Sequence, residues 1–242
     1  MARKVSSVSF NETKARSTAW AVTFGDMVTL LLTFFILVIV IMNEAEKHLD
    51  QIVNVLLDDT YKEIRDELQS ENIQVDRVTK GVKITISSGQ LFPSADSELR
   101  REVLPVLNQI GTLIKKSKIV SIQDDPEFKQ FLDSIEKNNK KLNIEIRTEG
   151  HTDNLPLPQE LTSKWKSNWE LSTARALNVV ELLSEFSELP EDKFSAMGYG
   201  EFRPTSKNDT PEGRARNRRV EIYLDAFVTI EEVIIASPSP SP

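Results

Sequence analysis

One apolar run, Trp20 to Met42, constrains this chain more than any other stretch. It reads WAVTFGDMVTLLLTFFILVIVIM and carries a single charged residue, Asp26. As a helix rising about 1.5 Å per residue it would be roughly 35 Å long, enough to cross a bilayer core of about 30 Å. A carboxylate at the centre of such a helix costs on the order of 2.5–3.5 kcal/mol to insert, and less toward an end, where Asp26 lies. An intramembrane acid faces other protein or a water-filled path as a rule, which makes Asp26 a candidate ion or proton site. Thr23, Asp26, Thr29 and Thr33 fall within about a third of the helix circumference at about 100° per residue, forming a polar stripe. That stripe can line an ion path or face a partner helix. The alternative is a structural acid paired to a basic group, with threonines bonding back to their own backbone; the sequence offers no obvious intramembrane partner for it.

The flanks orient the run. Before it stand Arg3, Lys4, Lys14 and Arg16 against one acid, Glu12; after it come Glu44, Glu46 and Asp50 with Lys47. The positive-inside rule therefore places residues 1–19 in the cytoplasm and the bulk of the chain outside the cytoplasmic membrane. The apolar stretch is too long for a signal peptide, and MNEAEKH offers no small-residue cleavage site, so an uncleaved anchor is expected.

Composition narrows the chemistry. A net charge of −7 gives no support to a nucleic-acid partner. With no cysteine, disulfides and thiolate metal sites are excluded. Only His48 and His151 are available, so a multi-histidine centre within one chain is not expected, and no metal site or cofactor is assigned.

Beyond the membrane run, Leu49, Ile52, Val53, Leu56 and Leu57 recur at helical spacing with charges opposite, which predicts an amphipathic helix over 43–57. It either dimerises or merely continues the span, or it lies on the membrane or against a channel mouth. Residues 58–80 are charged and weakly periodic and read as helix breaking into a linker. Val82, Ile84 and Ile86 alternate as a strand. SSGQLFPSADS is a turn-rich loop, after which Ser97 is placed to cap a helix from Glu98, with Pro105 as a possible kink. A short helix on Phe128, Phe131, Leu132 and Ile135 precedes a strand at Leu142, Ile144 and Ile146. A strong helix spans about 167–185, a strand 193–198, and a last strand 220–224. The expected fold class is α+β: one amino-terminal transmembrane helix, then a β-α-β-α-β-β domain over 81–226 with helices on one face of a mixed sheet. The SPSPSP end places a disordered tail at 227–242.

Three stretches carry a family resemblance: EGHTDN, NWELSTARALNVVELL and MGYGEFRPTSKNDTPEGRARNRRVEI. In this order they resemble the OmpA-like peptidoglycan-binding domain. SNWELS after HTDN, together with WAVTFGDMVTLLLTFF, is similar to the MotB branch, the stator subunits of the flagellar motor. That resemblance implies that Asp153 holds the ammonium of a diaminopimelate stem peptide and Arg175 its carboxylate. Thr152, Asn154, Asn168 and Leu171 would shape the pocket, with Arg218 near it. The chemistry is coherent, since a zwitterion needs one fixed anion and one fixed cation, and arginine meets carboxylates in a bidentate way. The alternative for Asp153 and Arg175 is a structural ion pair tying loop to helix. His151 is expected to be a structural hydrogen-bonder, and Arg214, Arg216, Arg218 and Arg219 to face the glycan strand or cap the sheet.

The resemblance further implies a channel formed with MotA-type subunits and a second copy of the chain. Asp26, with Thr33, would bind the transported ion, a proton or sodium, and the soluble domain would anchor the complex in the periplasm. Leu49, Ile52, Val53 and Leu56 match the place of the family's plug, though the plug sequence itself matches poorly. Three other readings stand beside this one. They are a membrane-tethered peptidoglycan binder that carries no ion, a subunit of a non-flagellar ion-driven complex, and a wall-cleaving enzyme. The last lacks a nucleophile-base pair, so no enzymatic activity is expected.

Overall fold

The computed structural model describes residues 10–70, 72–94, 96–122, 125–159 and 162–230, with side chains described outside 10–19 and 43–48. The chain divides into two units between Leu49 and Asp50. The first unit holds most of α1 (Phe10–Glu67). Trp20–Met42 is long and apolar enough to cross a membrane. Phe24, Leu30, Phe34 and Leu37 are each more than half exposed, so their surface is uncovered within the chain. Apolar surface of this kind requires lipid or a partner helix.

In the second unit α1 continues through the stretch read as a linker. Val53, Leu56, Leu57, Thr60, Ile64 and Leu68 form one buried stripe at helical spacing. Arg77 donates to Asp58 Oδ1 at 2.7 Å and to Asn54 Oδ1 at 2.8 Å, and Lys118 to Asp59 Oδ2 at 3.0 Å, so the helix is docked on its own domain. The linker expectation for 58–80 is therefore corrected. Charged residues on the outer face masked a three-to-four-residue stripe, and β1 (Ile73–Val78) is an edge strand, half exposed throughout most of its length, without a clean alternation.

The remaining elements are β2 (Gly81–Ser87), α2 (Ser88–Leu91), α3 (Leu104–Lys116), α4 (Lys118–Ser121), α5 (Lys129–Lys137), β3 (Lys140–Gly150), α6 (Asn168–Ser187), β4 (Phe194–Gly198), α7 (Pro211–Asn217) and β5 (Arg219–Ile230). The sheet order is β1-β2-β5-β3-β4. All neighbours are antiparallel except β3 and β4, which are parallel and joined through α6 as a βαβ crossover. The expected mixed sheet with packed helices is what the chain forms.

Ile84 opposes Ile222, and Ile146 opposes Leu224, so one sheet face is continuous aliphatic surface. Helix α6 seats on β3 and β4 because Gly150 and Gly198 bare the backbone there. A Cβ on Gly150 would stand 2.1 Å from the Ser172 carbonyl oxygen. Ser167 caps α6, accepting from Glu170 N at 3.3 Å, while Glu170 accepts from Lys166 N at 2.6 Å.

Three boundaries differ from expectation. Helix α3 starts at Leu104, not near Glu98, because Pro105 sits in its first turn, where its missing N–H is harmless. Strand β5 runs on to Ile230, with Lys140 as its register partner, so 227–230 belong to the sheet. The rest of the expected tail, 231–242, and residues 1–9 lie outside the described residues.

Candidate functional site

A cavity of about 440 Å³ gathers residues from four places in the chain. The loop leaving β3 contributes Thr152 and Asp153, α6 contributes Asn168, Leu171 and Arg175, and the α7–β5 junction contributes Arg218. The turn-rich stretch at α2 closes the remaining side with Ser88, Phe92 and Ser94. Asn168, Leu171 and Arg175 are spaced three and four apart, so one helix face presents all three.

Backbone bonds set this frame. His151 N donates to Arg219 O at 3.0 Å and Thr152 N to Gly200 O at 2.9 Å, and Ser88 N donates to Arg218 O at 2.9 Å. Gly200 has φ +54°, a left-handed conformation natural to glycine, and its N–H donates to Ser172 Oγ at 2.9 Å.

The two charged residues singled out from sequence are in the cavity wall but are not paired with each other. Arg175 is 5% exposed, donates from Nε to Asp96 O at 2.8 Å, and lies over the Phe92 ring at 5.0 Å. Among the described residues its outer nitrogens make no hydrogen bond. Burial pushes its guanidinium down to about 10, so it is still a cation at neutral pH. Asp153 instead accepts from Arg218 Nη1 at 2.6 Å through Oδ2, and from Leu155 N at 3.2 Å through Oδ1. The structural Asp153–Arg175 pair is thus replaced by an Asp153–Arg218 pair.

Asn168 Nδ2 donates to Leu155 O at 2.9 Å and reaches Glu201 Oε2 at 3.3 Å, holding the loop against the helix. Asn154 is exposed and lies outside the cavity wall, a correction to its expected place. The hydroxyls of Ser88 and Thr152 are buried in that wall without a hydrogen-bond partner among the described residues. Orphan hydroxyls, an open guanidinium edge and a paired carboxylate suit a small ligand that carries both charges. The reading of SSGQLFPSADS only as a loop missed Ser88, Phe92 and Asp96. The adjacent apolar pair Leu91 and Phe92 inside a turn-rich segment was the available signal.

The basic cluster separates. Arg218 enters the cavity, Arg214 Nη1 donates to Asn208 O at 2.8 Å, and Arg219 is buried on Glu221 Oε1 at 2.7 Å. His151 is not the hydrogen-bonder expected: it is 1% exposed, and neither ring nitrogen has a hydrogen-bond partner among the described residues. Burial, with Arg219 adding to it, pushes its imidazole down to about 4, which leaves it neutral at pH 7.

On the membrane-length helix Asp26 is exposed, with no ion pair among the described residues. Thr23, Thr29 and Thr33 each donate to the carbonyl three residues earlier at 2.9 Å. The back-bonding uses the hydroxyl protons of Thr29 and Thr33 and leaves their oxygens able to accept or ligate. Of the residues matched to a plug, Val53 and Leu56 are buried in the second unit, while Leu49 and Ile52 are half-buried.

Comparison with known proteins agrees with this division. Residues 7–59 match the family described as membrane MotB of the proton-channel complex MotA/MotB, and residues 106–218 match the OmpA family. Motility protein B of Bacillus subtilis is 34% identical over 163 residues, 67% of this chain and 52% of that protein. The chain thus matches about half the length of that relative. The cell wall anchor of the T6SS from Pseudomonas aeruginosa is 29% identical, covering 69% of this chain and 97% of that one, with a TM-score of 0.51. A putative MotB-like protein from Desulfovibrio vulgaris shares the fold at 22% identity and a TM-score of 0.55, covering 76% and 99% of the two chains.

Proposed function

Because this chain belongs to the MotB family, we propose that it is the B subunit of an ion-driven stator, anchored to peptidoglycan by its OmpA-like domain. The observation that carries the anchoring half is Arg175. A buried guanidinium with its outer edge unpaired is costly unless an anion meets it, and that edge borders the cavity. A stem-peptide carboxylate would be bound there in a bidentate way, while the ammonium of the same diamino acid approaches Asp153. Ser88 and Thr152 would supply hydrogen bonds to the peptide backbone.

The membrane half rests on Asp26. One helix cannot enclose a path, so the reading requires a second copy of the chain and MotA-type subunits around it. The amino terminus would be cytoplasmic and the domain periplasmic. An ion entering from outside, a proton or sodium, would neutralise Asp26 and then leave to the cytoplasm. The changing charge would alter how the surrounding subunits pack, with about 2.3 kcal/mol available per charge per 100 mV. Wall anchoring makes the resulting torque turn the rotor and not the stator. Similarity to a T6SS wall anchor supports a second reading, a tether that carries no ion; Asp26 separates the two.

The test is ion flux through the full chain assembled with its A-type partner, in sodium and in choline at fixed pH. Flux lost in Asp26→Asn, with assembly intact, is expected, and its dependence on sodium identifies the ion. Equal flux in the variant would remove Asp26 from the ion path, and no flux in the unsubstituted assembled complex would leave the tether.

A further inference from the structure

On the sheet face opposite α6, Glu149 and Glu221 are register partners on β3 and β5. They are 3% and 5% exposed. Like charges directly opposite one another across a ladder are destabilising. Arg147 pairs with Glu149 Oε1, and Arg219 takes Glu221 Oε1 at 2.7 Å. Both guanidiniums therefore leave the second oxygen of each acid free of them.

Those second oxygens face the same imidazole. His151 Nε2 lies 3.6 Å from Glu149 Oε2 and 3.8 Å from Glu221 Oε2. One ligand atom from each of the three residues falls within 4.8 Å of the others. These separations are too long for hydrogen bonds, which is why Nε2 of a side chain 1% exposed is left without a partner among the described residues. Asp225, held by Arg147 at 2.9 Å, brings the buried cluster to three carboxylates against two guanidiniums, while Lys83 at its border is turned to Asp76 at 3.5 Å.

We propose that Glu149, His151 and Glu221 form a site for one divalent transition cation of the zinc class. Ligand atoms around a tetrahedral Zn²⁺, with bonds of about 2.0–2.2 Å, lie roughly 3.3 Å apart. The two carboxylate oxygens, at 3.6 and 3.8 Å from His151 Nε2, need close on it by only a few tenths of an ångström to reach that spacing, and all three ligand atoms already lie within 4.8 Å of one another. One imidazole with two carboxylates is a donor set that zinc accepts. Tyr223, whose hydroxyl donates to Glu221 Oε2 at 2.6 Å, would stand as the outer partner of a ligating carboxylate. The cation would bind β3 to β5 at the end from which Thr152 and Asp153 enter the cavity, so the site braces that loop whatever the cavity binds.

The experiment uses tag-free full-length chain in detergent, stripped of metal and titrated with Co²⁺ and then Zn²⁺. One equivalent of Co²⁺ giving visible ligand-field absorption, displaced by Zn²⁺, is expected. Glu149→Gln and Glu221→Gln should each weaken zinc binding by at least about tenfold, with far-ultraviolet circular dichroism confirming that they fold. Absence of the absorption in the folded unsubstituted chain overturns the proposal even if the variants misfold. Unchanged zinc affinity in both folded variants overturns it as well.

Discussion

Arg218 donates a 2.6 Å hydrogen bond to Asp153, so the carboxylate matched to a ligand ammonium already has a cationic partner. The Arg218 side chain is 42% exposed and that of Asp153 only 9%, which makes the arginine the movable member. A ligand ammonium can then share Asp153 or displace Arg218 toward solvent. Asp153→Ala should weaken binding of a diaminopimelate-containing muropeptide by about tenfold or more, roughly 1.4 kcal/mol. Isothermal titration with the intact chain reads this, and equal affinity would remove Asp153 from the binding site.

Arg175 lies over the Phe92 ring, 5.0 Å from its centroid, and lines the cavity. Lysine keeps the charge but loses the planar fork. Arg175→Lys should lower muropeptide affinity by about ten- to a hundredfold, on the scale of a lost bidentate contact to a charged group. If the variant binds as tightly as the parent, a bidentate carboxylate contact is ruled out.

Leu56 is 1% exposed and belongs to the stripe that packs α1 on the soluble domain. Leu56→Ala should destabilise that domain by about 2–5 kcal/mol in chemical denaturation. A shift below about 0.5 kcal/mol would mean that the helix is not docked in solution and is free to act elsewhere. A plug role for the same face would require it to leave the domain first.

Asn217 is fully buried and ties the loop before β5. Its Oδ1 accepts from Thr205 N at 2.9 Å and Ser206 N at 3.0 Å, and its Nδ2 donates to Ser206 O and Asn208 Oδ1 at 2.8 Å. Asn217→Asp replaces the donor by a second acceptor and sets two oxygens against it. A loss of about 1–3 kcal/mol in stability is expected, together with weaker muropeptide binding because Arg218 follows directly. Stability and affinity both at parental values would contradict this role.

The sequence by itself determined the membrane-length helix, the strands with clean alternation and the helix α6. Each is a local pattern: a long apolar run, period two or period 3.6. It also named Thr152, Asp153, Asn168, Leu171, Arg175 and Arg218, because these lie in motifs that can be matched residue by residue. Tertiary structure alone decided who pairs with whom. Asp153 and Arg218 are 65 positions apart, and no local pattern chooses between Arg218 and Arg175 as the partner of that carboxylate. The edge strand β1 and the stripe from Thr60 to Leu68 were illegible because their charged faces dominate the local pattern, and what holds them is tertiary: β1 pairs with β2, and Gln109 and Lys118 donate to Glu67 O and Asp59. The orphan imidazole of His151 was equally invisible. Whether a histidine finds a hydrogen bond depends on distances across two strands, and those are set by sheet register and not by neighbours in the chain.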